Sequence, residues 1–124
     1  MINLDTHVVV WLYQGDLDPF SKKTLELFER EELAVSPVVD LELQFLHAIG
    51  RLKVASHEII DDVRARIGLS VLQESFEGVV RSSAALNWTR DPLDRLIPGH
   101  ASFGGRALLT KDRIIRKHHE KALW

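Results

Sequence analysis

The chain has 124 residues, with 16 Lys and Arg against 18 Asp and Glu and a net charge of −2. This length predicts one domain over residues 1–124 with a core of its own. The near-even balance excludes a nucleic-acid binder that works by global charge alone. There is no cysteine, which excludes a disulfide framework and any thiolate metal site and fits a reducing, cytoplasmic setting. No apolar run reaches membrane-span length, and the N-terminal stretch lacks a basic leader, so neither a span nor a signal peptide is expected.

Residues Ile2 to Leu4 form a short apolar run, and Asp5 ends it. A helical pattern follows, with Val8, Val9 and Leu12 on one side, Asp5 or Thr6 as cap and Gly15-Asp16 as its end. Pro19 is the expected start of a second helix, and Leu33 to Val35 read as a second buried strand. Ser36-Pro37 is a helix start, a serine cap with proline at the first turn. That helix runs to Ile49 and stops at Gly50. Ser56 is the expected cap of a helix ended by Gly68, and Leu69 to Leu72 resemble a strand. Residues 75–87 read as a helix, 87–92 as a polar loop, and helix signals resume at Asp94. Ala107 to Leu109 form a last strand before a basic C-terminal segment. Short apolar strands alternating with helices predict an α/β fold with a parallel sheet.

Acids recur where strands hand over to helices. Asp5 follows the first strand, Glu42 lies early in the helix after the second, Asp94 starts a helix, and Asp112 follows the last strand. In a parallel sheet these points share one edge, and carboxylates gathered there repel one another unless protonated or bridged by cations. Oxygen-only donors favour Mg²⁺ or Mn²⁺. An acid at a helix start also has a purely structural use, since the helix dipole stabilises it without a metal.

Four segments carry a resemblance: LDTHVVVWL at the N-terminus, SPVVDLE from Ser36 to Glu42, RDPLDRL from Arg90 to Leu96, and LTKDRI from Leu109 to Ile114. In order, spacing and overall length the chain resembles the PIN-domain family, and within it the VapC-type ribonuclease toxins of type II toxin–antitoxin pairs. The resemblance implies a three-layer α/β/α fold with a short central parallel sheet. It implies that Asp5, Glu42, Asp94 and Asp112 form an acidic site for Mg²⁺ or Mn²⁺, where water attacks an RNA phosphodiester. Asp5 and Asp94 are then the firmest ligands, and Asp112 supports them or a second ion. It further implies RNA as substrate, a cognate antitoxin as partner and a homodimer; the lack of a membrane-length apolar run predicts no membrane association. Thr110 and Thr6 are candidates to hydrogen-bond a ligand carboxylate. Arg95 is a candidate for substrate phosphate or, preferably, for an ion pair with a neighbouring acid.

Three features depart from the family pattern or compete with it. Leu41 stands where an aromatic is usual. Asp40 lies two residues before Glu42, about 200° round the helix, so only one of the two can face the site; spacing from Ser36 selects Glu42. Pro98-Gly99 falls where the family has a continuous helix, and a kink or a shortened first turn, able to move Asp94 and lower activity, is expected. That break motivates a second reading, a catalytically weak PIN domain acting by binding RNA or a partner protein. The six histidines show no metal-ligand spacing. From Arg106 to Lys121 six basic residues face two acids, a basic stretch that serves either RNA attraction or simple solvation. Trp11, Phe20, Leu46, Ile49 and Leu52 are candidates for an apolar surface.

Overall fold

A computed structural model describes residues 1–124. In chain order the elements are β1 (Ile2–Leu4), α1 (Thr6–Gln14), α2 (Lys22–Arg30), β2 (Leu33–Val35), α3 (Pro37–Ala48), α4 (Ser56–Ile67), β3 (Ser70–Val71), α5 (Phe76–Ser83), α6 (Pro92–Phe103), β4 (Ala107–Leu109), α7 (Arg113–His118) and β5 (Ala122–Leu123). The five strands form one sheet in the order β3-β2-β1-β4-β5. Every neighbouring pair is parallel, with Ile2 opposite Leu33 on one side and Ala107 on the other. Helices cover this sheet in the α/β/α arrangement expected from the alternation. The strands β1 and β2 are buried throughout, as parallel strands covered on both faces must be. Leu4, Val8, Val9, Val35, Val39, Leu43, Leu108 and Leu109 belong to the continuous core. No helix is long and apolar enough to cross a membrane.

The strand order places a topological switch at β1. From it the chain builds outward through β2 and β3 on one side and through β4 and β5 on the other. At such a point the loops leaving the strand ends diverge and open a crevice, the usual ligand position in open parallel sheets. Asp5 leaves β1 at this edge and Thr110 leaves β4 beside it.

Several helix boundaries differ from the sequence-based expectation. The helix α2 starts at Lys22, not Pro19, because the Ser21 hydroxyl accepts from Thr24 N at 3.2 Å and caps it there. Ser56 is the first residue of α4, not its cap; Ala55 holds the cap position without a side-chain bond. The helix α5 ends at Ser83 rather than at 87. The C-terminal segment ends in a fifth strand, where Leu108 N donates to Lys121 O and Thr110 N to Leu123 O. A strand of two residues is too short to show periodicity.

Pro98-Gly99 neither interrupts nor shortens the helix. The helix α6 runs without interruption from Pro92 to Phe103. Pro98 cannot donate to the Asp94 carbonyl, but Pro98 and Gly99 are both buried, and packing offsets the missing bond. Gly99 is required by a close approach of α5: a Cβ there would lie 2.0 Å from Ser83 Oγ and 3.1 Å from Ser83 Cα.

Candidate active site

Asp5 caps α1 through Oδ1, which accepts from Thr6 N at 2.8 Å. Its other oxygen, Oδ2, accepts from the Thr110 hydroxyl at 2.6 Å. Both carboxylate oxygens are therefore fixed, and the residue is 6% exposed. The same Thr110 hydroxyl oxygen accepts from Asp112 N at 3.0 Å. Thr110 thus joins Asp5 and Asp112. Asp112 itself caps α7, accepting from Ile114 N at 2.8 Å and Ile115 N at 3.0 Å through Oδ1. Its structural use and its place at the acidic edge coexist.

Asp94 reaches the same edge from the first turn of α6. That turn is set by Asp91, which accepts from Leu93 N at 2.8 Å and Asp94 N at 3.2 Å. Burial raises the Asp94 pKa, and the negative charges of Asp91, Asp112 and Asp5 raise it further. Glu42 comes from α3. Its pKa is pushed up to about 7 by burial first, then by the charges of Asp5, Asp94 and Asp91. The neighbouring Thr6 hydroxyl opposes this rise, although Thr6 Oγ1 is buried without a partner in full hydrogen-bonding geometry. The four expected acids therefore act on one another across one edge. Asp40 does not join them; it accepts from Gln44 Nε2 one turn along the exposed face of α3 at 3.1 Å.

Other expectations divide. Thr6 does not cap α1; Asp5 does. Arg95 forms no ion pair with Asp91 or Asp94. Its Nε donates to Thr89 O at 2.5 Å, and the side chain lines a hollow with Val80 and Ser83 of α5. The adjacent Thr89 carbonyl satisfies the guanidinium locally, so Arg95 steadies the loop before α6. Phe20 is buried in the core, whereas Ile49 is half exposed.

Two features carried no sequence signal of their own. Asp91, half of a helix-start pair with Pro92, is a fifth negative charge on the site. His7 stands beside Asp5: Lys111 N donates to His7 Nε2 at 2.9 Å. In the neutral ring Nδ1 therefore carries the hydrogen, 3.7 Å from Asp5 Oδ2. From Thr6 and Glu42 a cleft of about 250 Å³ extends past His7 and Trp11 to Arg51.

No three His, Asp or Glu side chains converge closely enough to form a closed ion cage. Mg²⁺ does not need one, because it keeps several waters and takes only one or two direct carboxylates. An all-oxygen donor set, mutually repelling carboxylates and the orphaned Thr6 hydroxyl fit such a hydrated ion.

A second polar cluster lies under α6. Ser36 Oγ is 2.7 Å from His100 Nδ1, and His100 Nε2 is 3.3 Å from Glu74 Oε1. Arg106 pairs with Glu74 and donates from Nε to Asn3 Oδ1 at 2.9 Å. Burial depresses the His100 pKa, while the Arg106 hydrogen bond holds Glu74 low. This network ties α6 to β1 and to the residue after β2, and so fixes the helix that carries Asp94.

Residues 2–121 match the PIN domain family. The chain belongs to the PIN-domain family. Ribonuclease VapC22 of Mycobacterium tuberculosis is 30% identical to it, over 93% of this chain and 89% of that protein. The fold is similar to a chain in the crystal structure of VapBC2 from Rickettsia felis bound to a promoter DNA fragment, with a TM-score of 0.71, 20% identity, and 99% and 96% of the two chains covered. A chain of a toxin–antitoxin complex from Klebsiella pneumoniae gives a TM-score of 0.66 at 15% identity, covering 100% and 97%. These two likenesses establish the PIN fold; the sequence relative and the family match establish the membership.

Proposed function

We propose that this PIN domain is the ribonuclease toxin of a toxin–antitoxin pair, an endoribonuclease that hydrolyses RNA phosphodiesters with Mg²⁺ or Mn²⁺. The observation that carries the reading is the gathering of carboxylates at the switch-point edge: Thr110 joins Asp5 to Asp112, and burial together with the charges around them raises the pKa of Glu42 and Asp94. The ribonuclease relative and the toxin–antitoxin complexes of similar fold support it.

Asp5 and Asp94 would hold the ion, with Asp112 supporting them. A bound divalent cation supplies a more acidic water and offsets negative charge on the phosphodiester. The chain's own residues do the rest. Thr110 and Thr6 N keep both Asp5 oxygens in place. Glu42, with its pKa raised to about 7, is suited to accept a proton from the attacking water near neutral pH. Asp91 and the network around His100 fix the start and the body of α6. The proposal includes a cognate antitoxin that blocks the site, and a homodimer supported by the exposed apolar residues Leu41, Phe45, Phe76 and Val80 on α3 and α5.

The test is cleavage of a mixed RNA pool with Mg²⁺, with Mn²⁺ and with chelator, followed by analysis of the product ends. The reading expects metal-dependent cutting with 5′-phosphate and 3′-hydroxyl ends. Undiminished cutting in chelator, or 2′,3′-cyclic phosphate ends, would refute it.

A further inference from the structure

Lys111 lies between Thr110, which donates to Asp5, and Asp112. A lysine next to so many carboxylates would ordinarily pair with one of them. Lys111 pairs with none; no carboxylate oxygen lies within ion-pair distance of its ammonium. Its Nζ sits 5.7 Å from the centre of the Trp11 ring and 5.8 Å from that of Trp124. The two indoles are 5.7 Å apart and tilted by 55°. They are themselves braced: His7 meets Trp11 edge-on at 5.1 Å, and Phe20 lies 5.8 Å from Trp11 and 5.6 Å from Trp124. The backbone of Lys111 is held as well, by its N–H to His7 Nε2. Indole faces attract an ammonium without neutralising it. The result is an exposed, positioned cation beside the acidic edge, with its charge and its donors still available.

We propose that Lys111, held by Trp11 and Trp124, is a substrate-binding residue that contacts a backbone phosphate of RNA next to the scissile one. This rests on RNA being the substrate. A site built from carboxylates repels a polyanion, so a cation positioned at its rim gives the strand a fixed point of attachment. The contact is with the backbone and carries no base preference. The neighbouring Arg113, Arg116 and Lys117 extend the same sign of charge along α7, but none of them is paired with an aromatic face.

The experiment is fluorescence anisotropy with a fluorescein-labelled single-stranded RNA of mixed sequence, in chelator, across a salt series. Each phosphate contact to a single strand adds about 0.7 to the slope of log affinity against log salt. Lys111→Met keeps the aliphatic stem and removes the charge. It should lower the slope by about 0.7 and weaken binding several-fold at low salt. Lys111→Arg should restore both, and Lys23→Met on the exposed surface of α2 should change neither. In cleavage assays Lys111→Met should raise KM with little change in kcat. An unchanged salt slope in Lys111→Met would overturn the assignment. So would an unchanged slope together with weaker capture of the cognate antitoxin, which would place the cation in that interface instead. Binding in chelator does not depend on turnover, so a lost slope with no cleavage under any metal would refute the catalytic reading and leave the phosphate contact standing.

Discussion

The Thr110 hydroxyl donates to Asp5 Oδ2 at 2.6 Å, joining the ends of two adjacent parallel strands across 105 residues of chain. The bond exists because β1 and β4 are neighbours at the point where the sheet order reverses. It sets the orientation of an acid whose other oxygen is already committed to the first turn of α1.

Removing that hydroxyl isolates the effect. Thr110→Val keeps the shape and strands both Asp5 Oδ2 and Asp112 N. Activity should fall by about 10- to 100-fold, and stability by ~1–3 kcal/mol, the range for leaving a buried polar group without its partner. Thr110→Ser should recover most of both in paired cleavage and thermal-denaturation measurements. Equal loss in the serine variant would show that the methyl, not the hydroxyl, matters.

Glu42 makes stability depend on pH with a definite sign. Its carboxyl ionises near 4.5 in an unstructured chain and near 7 in the fold, so the fold binds that proton more tightly. Below about pH 4.5 both states are protonated and there is no penalty. As pH rises through about 7 the fold comes to carry an unfavourable charge. Glu42→Gln should therefore stabilise the metal-free protein above pH 7, by ~1–2 kcal/mol once screening of this half-buried group is included. The gain should vanish near pH 4.5. Melting curves in chelator at the two pH values measure it, and a gain at the acid end alone would contradict the assignment.

Gly99 is a packing requirement of α6 against α5. Gly99→Ala places a methyl against Ser83 Oγ and the Ser83 backbone, so the helices must separate. Overpacking of this kind costs ~1–3 kcal/mol. Chemical denaturation should show that loss, and an unchanged midpoint would mean that α5 yields freely.

The cap at Asp91 links local structure to the site. Asp91→Ala leaves Leu93 N and Asp94 N without their acceptor, which should cost ~1 kcal/mol. It also removes a negative charge that raises the Asp94 pKa. Asp91→Asn keeps an acceptor without the charge. NMR titration of the Asp94 carboxyl should then show a lower pKa at nearly native stability.

The sheet edge was legible because its signals are local. Apolar Ile2 to Leu4 ending at Asp5 and Ser36 before Pro37 each write a boundary in adjacent residues, whereas Asp91-Pro92 reads as loop in the sequence and the helix starts there, two residues before the expected Asp94. The four acids followed from those boundaries and from the family resemblance. What escaped was long-range. Ser36 meets His100 across 64 positions and Asn3 meets Arg106 across 103, and no local pattern announces either contact. The continuity of α6 through Pro98 escaped for the same reason: the rule that proline interrupts a helix is local, whereas Pro98 and Gly99 are buried against the rest of the fold. Arg95 follows Asp94 directly, yet its nearest acceptor in space is a carbonyl in the preceding loop.

The most direct test of the central claim compares the unmodified protein with Asp5→Asn and Asp94→Asn, each purified free of antitoxin. Folding is checked by circular dichroism, and RNA cleavage is followed with Mg²⁺, with Mn²⁺ and with chelator. The account predicts cutting by the unmodified protein only with metal, and its loss in both variants while their folds persist. Full cutting by either folded variant would contradict a site built on these two carboxylates.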